Sequence, residues 1–298
     1  MQKILIIGGS GLVGSTLVKY MEKNFDIHIT YNKNSVNFQN ISSTKIDLMK
    51  NSTKLLDLIE KWKPAIVIHT VAHSSVDLCE TDHDVADYLH VKITKDISMI
   101  CKKINSKLIY FSTDAVFPGE LDKKYTEKDL PDPINYYGKT KLRSEQVVME
   151  NHDNYTILRT AVIYGAHPRS RFTDWIRSKL KNNEMVDPHI DQFNTPTLVD
   201  DLAKAVIKII QKDVRGLYHA TGKTCINRYD FAIHLAKKFG YDIELIKPVT
   251  ALEKIQKAPR PNSTCLDSSK LEKLLEFDFS DIDSGIESIF QNSHNDSS

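Results

Sequence analysis

Two side chains near the middle of this chain have the residue types and the spacing for proton transfer. Tyr137 and Lys141 lie four positions apart, so they share one face of a helix. An ammonium group beside a phenol favours the phenolate, and we therefore expect Lys141 to lower the pKa of Tyr137 from its usual value of about 10. A tyrosine and a lysine in this arrangement can pass a proton to or from a carbonyl oxygen.

The same spacing occurs at Tyr88 and Lys92, so position along the chain must decide which pair is functional. Thr113 ends an apolar run typical of a buried strand, and in open α/β sheets ligands bind at the carboxyl ends of the strands. Tyr137 follows that strand after a loop, and Asn135 can cap the helix that brings it back. Tyr88 precedes the strand, so we expect Tyr137 to reach the strand end. The alternative for Thr113 is a turn residue that caps the next segment.

The N-terminal segment has the pattern of a turn that binds a dinucleotide. An unbroken apolar run at residues 4–7 is typical of a strand buried on both faces of a parallel sheet. Of the glycines that follow, Gly8 permits a tight turn, Gly11 lets the backbone approach a pyrophosphate, and Gly14 lets a helix pack on the strand. The phosphates would lie at the helix N-terminus, where N–H groups without partners favour negative charge. The alternative is a glycine-rich turn without a ligand.

The charge balance favours a small-molecule ligand. The 298 residues include 40 lysines and arginines and 39 aspartates and glutamates, so no net positive field indicates nucleic acid or an anionic membrane as the partner. No stretch is long and apolar enough to cross a bilayer, and the N-terminus enters a strand without a signal-peptide pattern, which predicts a cytoplasmic protein. The oligomeric state stays open, with a homodimer as one alternative.

The cysteines and histidines lack the spacing of a disulfide framework or a metal site. Cys79, Cys101, Cys225 and Cys265 are widely scattered without a CxxC pair, which favours buried, reduced thiols over disulfides or zinc. The histidines at residues 69–90 lack a matching set of carboxylates or cysteines, so we expect no metal ion.

Short apolar runs alternate with segments of helical periodicity through the first half of the chain, which is typical of βαβ units. We predict strands near residues 4–7, 27–30, 45–46, 65–69, 108–111, 155–158 and 217–220. We predict helices near residues 12–24, 52–62, 85–104, 137–150, 172–181, 199–211 and 228–239. The predicted fold class is α/β, with a doubly wound parallel sheet of the Rossmann type and a smaller, irregular C-terminal substrate lobe.

We predict a dinucleotide-binding Rossmann domain at residues 1–164 and a substrate-binding lobe at residues 165–290. The strand near residues 217–220 is expected to rejoin the first sheet. Residues 291–298 are polar and have no apolar anchor, which predicts a disordered tail.

These features together resemble the extended short-chain dehydrogenase/reductases, through the GxxGxxG start, the hydroxyl after the fifth strand and the YxxxK pair. Within that group the chain is similar to the dTDP-4-dehydrorhamnose reductase branch, at residues 112–117 (STDAVF), 133–142 (PINYYGKTKL), 191–197 (DQFNTPT), 200–203 (DDLA) and 260–263 (RPNS). The same motifs recur in the non-catalytic regulatory subunit of methionine adenosyltransferase. Ala115 stands where the branch often has tyrosine, and His90 where it often has asparagine.

The resemblance implies a reductase that uses a nicotinamide cofactor on a nucleotide-linked 4-ketosugar, in the last step of dTDP-L-rhamnose formation. Tyr137 would protonate the 4-keto oxygen as hydride arrives, Thr113 would hydrogen-bond the same oxygen, and Lys141 would hold the nicotinamide ribose. Asp47 would meet the adenine edge. The implied cofactor site comprises Gly8, Ser10, Gly11, Leu12, Val13, Gly14, Lys33, Asp47, Leu48, Tyr137 and Lys141.

The end of the second strand distinguishes the two nicotinamide cofactors. NAD sites usually have an acidic residue there that binds the ribose 2′-hydroxyl, whereas NADP sites use a cation. Here residues 30–33 read TYNK, with no acid, so Lys33 predicts NADPH, with NADH as the alternative. For the diphosphate of the substrate, which guanidinium groups bind in bidentate fashion, the candidates are Arg169, Arg171 and Arg260.

Two other functions stay open on the sequence. A nucleotide-sugar epimerase or dehydratase would keep its cofactor bound and regenerate it. A regulatory subunit would bind a cofactor and hold a partner such as methionine adenosyltransferase, because function depends on sites rather than on folds. The presence of Thr113, Tyr137 and Lys141 together favours the reductase.

Overall fold

The computed structural model describes residues 1–35, 38–254 and 256–295. Its strands, in chain order, are β1 (Lys3–Ile7), β2 (Asp26–Tyr31), β3 (Ser42–Lys45), β4 (Ile66–His69), β5 (Lys107–Thr113), β6 (Tyr155–Thr160), β7 (Ile163–Tyr164), β8 (Phe193–Asn194), β9 (Thr197–Leu198), β10 (Gly216–His219) and β11 (Ile226–Asn227). The third strand begins at Ser42 and ends at Lys45, so it overlaps the strand predicted at residues 45–46 only at its last residue.

Seven of these strands form one parallel sheet in the order β3-β2-β1-β4-β5-β6-β10. The strand order runs outward from β1 in both directions, which is the doubly wound arrangement and confirms the predicted fold class. The last position is filled from the second half of the chain, because β10 pairs with β6 from Gly216 opposite Thr156 to His219 opposite Arg159.

Both faces of this sheet are buried, which explains the unbroken apolar run in β1. Ile4 and Ile6 pack into the core on one face, and Leu5 and Ile7 pack into the core on the other. All four side chains are inaccessible to solvent. This is the pattern expected of a strand with helices on both sides, because successive side chains point to opposite faces.

The helices, in chain order, are α1 (Leu12–Met21), α2 (Thr53–Trp62), α3 (Val76–Thr81), α4 (His83–Ala86), α5 (Ile93–Lys103), α6 (Tyr136–Asn151), α7 (Arg171–Lys181), α8 (Val199–Gln211), α9 (Arg228–Phe239), α10 (Ser269–Leu275) and α11 (Ile282–Asn295). α6 begins where the sequence predicted a cap, since the side chain of Asn135 accepts a hydrogen bond from the N–H of Gly138 at 2.8 Å. None of the described helices is long and apolar enough to span a membrane.

The helix predicted at residues 85–104 is interrupted by a wider turn. A π-helical segment at Asp87–Lys92 joins α4 to α5. Such segments are rare and often occur near functional sites. This one turns His90 inward, where it is 1% exposed.

The second half of the chain builds its own core around two short pairs of strands. β7 pairs with β9, and β8 pairs with β11. Tyr164, Phe231 and Ile286 belong to a cluster of buried side chains that α7, α9 and α11 share. The boundary at residue 164 between the two predicted units stays a prediction.

The predicted disordered tail is wrong for residues 291–295. α11 continues to Asn295, because Ile282, Ile286 and Ile289 anchor it in the core of the second half. The helix thus carries polar residues beyond the last apolar side chain. Residues 296–298 lie outside the described part of the chain.

The cysteine prediction is wrong for one pair. Cys225 and Cys265 form a disulfide across a sequence separation of 40 residues. Their spacing along the chain carries no signal, because only the fold brings the two segments together. Cys79 and Cys101 are free and buried, as the sequence predicted.

Candidate active site

A cleft of about 970 Å³ lies at the carboxyl edge of the central sheet. Segments that follow β1, β2, β3 and β4 form one wall, and residues 162–172 with Arg228 form the other. The predicted cofactor residues that line the cleft are Gly8, Ser10, Gly11, Leu12, Val13, Lys33, Asp47 and Leu48. Arg169 and Arg171, predicted for the substrate, line it as well, whereas Gly14, Tyr137, Lys141, Thr113 and Arg260 do not.

The glycine turn has the geometry of an anion site. Gly8 has a φ of 87°, which favours glycine, and a Cβ on Gly14 would lie 2.4 Å from the carbonyl oxygen of Gly8. Gly11 precedes α1, and no side chain caps that helix. The first N–H groups of α1 are therefore left for a ligand, and the helix dipole favours negative charge there.

Thr113, Tyr137 and Lys141 come together where α6 packs on β5. Thr113 is the last residue of β5, and the other two lie one turn apart at the start of α6. The Thr113 hydroxyl donates to Asp114 Oδ1 at 3.0 Å and accepts from the N–H of Ala115 at 3.2 Å. The structure thus brings the three predicted catalytic residues to one end of the sheet.

The expected lowering of the Tyr137 pKa by Lys141 is wrong. Burial raises the pKa of Tyr137, and the neighbouring Thr113 hydroxyl acts in the opposite direction without overcoming it. Lys141 turns toward the strand instead, where its Nζ donates to the Tyr110 hydroxyl at 2.5 Å and to the carbonyl of Phe111 at 2.6 Å. Desolvation therefore decides the pKa of the tyrosine.

Lys141 is itself almost completely buried, with 2% of its surface exposed. Burial lowers the pKa of its ammonium to about 7. Of its three N–H donors, the bonds to Tyr110 and Phe111 use two.

The second tyrosine–lysine pair lies elsewhere, as the sequence predicted. The Tyr88 hydroxyl hydrogen-bonds to Ser52 Oγ at 3.0 Å. Lys92 is largely exposed and forms an ion pair with Asp96 at 2.5 Å. Neither side chain reaches the end of β5.

The fold and the site match one known family over nearly the whole chain. The model of the RmlD substrate binding domain matches residues 1–295. The chain belongs to this family. Among relatives, dTDP-4-dehydrorhamnose reductase of Aggregatibacter actinomycetemcomitans is 28% identical over 284 residues, covering 92% of this chain and 93% of that protein.

The proteins to which this chain is similar differ in what their names say they do. Methionine adenosyltransferase 2 subunit beta of Xenopus laevis is also 28% identical over 284 residues, covering 92% of this chain and 82% of that protein. Among solved structures, dTDP-4-dehydrorhamnose reductase of Bacillus anthracis in complex with NADP has a TM-score of 0.85 and 26% identity, covering 98% of this chain and 100% of that chain.

His90 supports the turn that carries Tyr137. Its Nε2 accepts a hydrogen bond from the N–H of His73 at 2.8 Å, so the proton must lie on Nδ1. Nδ1 is 2.7 Å from the Thr140 hydroxyl, which donates to the carbonyl of Tyr137 at 2.9 Å. Burial and the charge of Lys141 lower the pKa of His90 to about 2, which keeps the ring neutral. The sequence analysis singled out His90 but could not show these contacts.

Glu145 is a supporting residue that the sequence analysis missed. It lies one turn beyond Lys141 on α6 and forms a bidentate ion pair with Arg159 of β6, at 2.9 and 2.7 Å. It also accepts a hydrogen bond from Ser112 at 2.5 Å. The buried pair fixes α6 against β5 and β6, and no local motif distinguishes it from a surface glutamate.

The arginines predicted for the substrate have different environments. Arg169 and Arg171 lie on the wall of the cleft. Arg260 is instead bound within the protein, since it donates to the carbonyl of Ala258 at 2.8 Å and to Asp77 Oδ1 at 3.0 Å. Arg228, which no motif singled out, lines the cleft. Within the described residues, no group of three or more His, Cys, Asp or Glu side chains could hold a metal ion.

Proposed function

We propose that this protein is an NADPH-dependent oxidoreductase that reduces a nucleotide-linked 4-ketosugar, of the dTDP-4-dehydrorhamnose reductase type. The observation that carries the proposal is the presence of Thr113, Tyr137 and Lys141 at the carboxyl end of β5, on the same edge of the sheet as the cleft that the glycine turn lines. The reaction would belong to dTDP-L-rhamnose formation and thus to carbohydrate biosynthesis. The solved relative in complex with NADP supports the choice of cofactor.

The residues of the cleft fit a dinucleotide. A Cβ on Gly14 would collide with the backbone of Gly8, so the turn keeps the tight shape that a pyrophosphate needs. The uncapped start of α1 would bind the phosphates, and Asp47 would meet the adenine edge. The bound cofactor supplies a hydride to the carbonyl carbon.

The environment of Tyr137 suits a proton donor. Burial raises the pKa of its phenol, so the hydroxyl keeps its proton at neutral pH. The side chain would give this proton to the 4-keto oxygen, while Thr113 hydrogen-bonds the same atom. Two of the three N–H donors of Lys141 bond to Tyr110 and Phe111, and the third would bind the nicotinamide ribose.

The test is oxidation of NADPH by dTDP-4-dehydro-6-deoxy-L-mannose, followed by nicotinamide absorbance. We expect many turnovers for the wild type and a loss of about 10²- to 10⁴-fold in kcat for Tyr137→Phe, with NADPH binding retained. Tyr88→Phe is the matched control, because Tyr88 has the same spacing to a lysine but lies away from β5. Normal turnover by Tyr137→Phe would contradict the catalytic assignment.

The preference for NADPH rests on Lys33. This exposed lysine lines the cleft after β2, and the described residues 30–34 contain no acid that would bind a ribose 2′-hydroxyl. We expect a lower KM for NADPH than for NADH, and we expect Lys33→Ala to raise the KM for NADPH while leaving that for NADH unchanged. A much lower KM for NADH would refute the preference.

A regulatory subunit is the second candidate, because methionine adenosyltransferase 2 subunit beta is as similar to this chain as the reductase is. Consumption of NADPH distinguishes the two functions. A regulatory protein would bind NADPH without consuming it and would co-purify with a second polypeptide. An epimerase or dehydratase would regenerate its cofactor and give no net oxidation.

The cytoplasmic location and a homodimer stay proposals. Disulfides are rare in cytosolic proteins, so the Cys225–Cys265 bond gives the location a direct test. Trapping the thiols at the moment of cell lysis shows the state of this pair in the living cell. A pair oxidised in the cell and recovered outside the cytoplasm would overturn the proposed location.

A further inference from the structure

Arg228 is a half-buried cation on the wall of the cleft. It is the first residue of α9 and lines the cleft together with Arg169 and Arg171. Its Nε is buried and has no hydrogen-bond partner among the described residues. Burial lowers the pKa of the guanidinium, and the charge of Arg260 acts in the same direction. The folded protein thus holds this charge in an unfavourable environment.

The neighbours of Arg228 fix its position without neutralising it. Its Cζ lies 5.2 Å from the centre of the Phe172 ring, a distance at which the ring face attracts a cation. Asp114 is the carboxylate whose charge acts on Arg228. The oxygens of Asp114 accept hydrogen bonds from Thr113 at 3.0 Å and Thr264 at 2.5 Å, so it is held by these hydroxyls.

The proposed reaction brings two diphosphates to the protein, one in the cofactor and one in the nucleotide sugar. The glycine turn and the start of α1 suit the first of them. Of the arginines predicted for the second, Arg260 is already paired with Asp77, Arg171 is exposed, and Arg169 is half-buried and lines the same cleft as Arg228. Arg228 is half-buried with a buried Nε, lies on an aromatic ring, and is close enough to Asp114, the neighbour of the proposed catalytic Thr113, for that charge to act on it.

We propose that Arg228 binds the diphosphate of the nucleotide-sugar substrate, with Phe172 holding the guanidinium in place. This inference rests on the proposed function, because it assigns a role within the same site. A guanidinium offers a planar set of donors that matches two phosphate oxygens at once.

The experiment is a calorimetric titration of dTDP into the wild type and three variants. Arg228→Gln removes the charge, and Arg228→Lys keeps the charge but not the planar donors. Arg177→Gln is the matched control. Its Nε is also buried without a partner among the described residues, and its Cζ lies 4.5 Å from the Phe239 ring, but it does not line the cleft.

We expect Arg228→Gln to weaken dTDP binding by about 10- to 100-fold, the effect of losing charged hydrogen bonds. Arg228→Lys should fall between the wild type and Arg228→Gln. Affinity for NADPH should stay within about twofold in every variant, since the glycine turn binds it. Because Arg228→Gln removes a poorly neutralised charge, its Tm should equal or exceed that of the wild type. In the reaction with the ketosugar, its KM should rise more than its kcat falls.

Several results would overturn the inference. Wild-type affinity for dTDP in Arg228→Gln, or no dTDP binding by the wild type, contradicts it directly. Equal losses of dTDP and NADPH affinity with a lower Tm identify a structural role instead.

The proposed function fails separately if the wild type binds NADPH and dTDP but never oxidises NADPH with the ketosugar. If the ketosugar is reduced and the KM of Arg228→Gln is unchanged, the function stands and the role of Arg228 falls.

Discussion

Lys141 is a buried ammonium whose hydrogen bonds go to the strand beneath it rather than to Tyr137. Its two partners are the Tyr110 hydroxyl and the carbonyl of Phe111. The pKa of Tyr137 is raised by burial and that of Lys141 is lowered by burial, so the same loss of solvent shifts both groups toward their neutral forms. Acid–base behaviour in this site therefore depends on exclusion of water more than on contact between the pair.

This burial predicts how stability depends on pH. The folded protein releases the Lys141 proton near a pKa of about 7, whereas an unfolded chain keeps it up to the usual value of 10.5. Between these values the unfolded state binds more protons, so the stability rises with pH. The free energy of unfolding of the wild type, relative to Lys141→Met, should rise by at most about 1.4 kcal/mol per pH unit.

Urea unfolding of both proteins at several values above pH 7 measures this difference. Lys92→Met serves as the control, because it removes an exposed lysine. A pH dependence of the free energy of unfolding that both variants share is not due to burial of Lys141. A difference that stays flat or falls with rising pH would contradict the effect of burial on Lys141.

The elements that the sequence predicted well are those that local patterns define. The apolar run before Gly8 identified β1, and the capping signal at Asn135 identified the start of α6. Thr113 could be assigned to the ligand-binding edge because it ends a predicted parallel strand, and Tyr137 because its capped helix follows that strand. These inferences need only the chain near each residue and the general rules of the fold class.

The elements that the sequence missed depend on distant contacts. The π-helical turn at His90 is fixed by bonds to His73 and Thr140, and α11 is fixed by a core built from other helices. Arg228 lies in an ordinary helical pattern and becomes notable only when the ring of Phe172 is placed beneath it. No local signal in the chain could have shown these three features.

The glycine turn gives a prediction at the scale of the first βα unit, because two of its glycines serve different purposes. A Cβ on Gly14 would lie 2.4 Å from the Gly8 oxygen and 2.6 Å from the Gly9 Cα, and these are backbone atoms that cannot move aside. Gly14→Ala should therefore lower the free energy of unfolding by about 1–3 kcal/mol. Thermal and urea unfolding measure the loss.

Gly11→Ala is the informative comparison. Its Cβ would meet only the Gly8 oxygen, at 3.3 Å, and Gly11 lines the cleft. We expect this variant to fold with nearly normal stability but to bind NADPH weakly, because a methyl group occupies the space where the backbone approaches the pyrophosphate. Normal NADPH affinity in a folded Gly11→Ala protein would show that the phosphates lie elsewhere.

Across the whole molecule, the two halves of the chain are joined by more than the shared sheet. β10 completes the sheet beside β6, and the side-chain amide of Asn135 donates to the carbonyl of Pro259 at 3.0 Å. Arg260 reaches back to Asp77 in the first half. The candidate catalytic helix α6 therefore begins on a contact between the halves, and the position of the second half bears on the position of Tyr137.

The Cys225–Cys265 disulfide ties together two segments of the second half. Cys225 stands three residues before Arg228, and Cys265 follows Thr264, which holds Asp114. In the chain-entropy treatment, a bond that closes a loop of this length stabilises a protein by about 3–4 kcal/mol. The variant with both Cys225→Ser and Cys265→Ser should thus have a lower Tm and a higher KM for the nucleotide sugar.

A reducing agent should lower the Tm of the wild type and leave that of the variant unchanged. Titration of the denatured wild type without reductant should find two thiols, those of Cys79 and Cys101. Four reactive thiols in freshly isolated protein would instead support the reduced cysteines that the scattered spacing predicts.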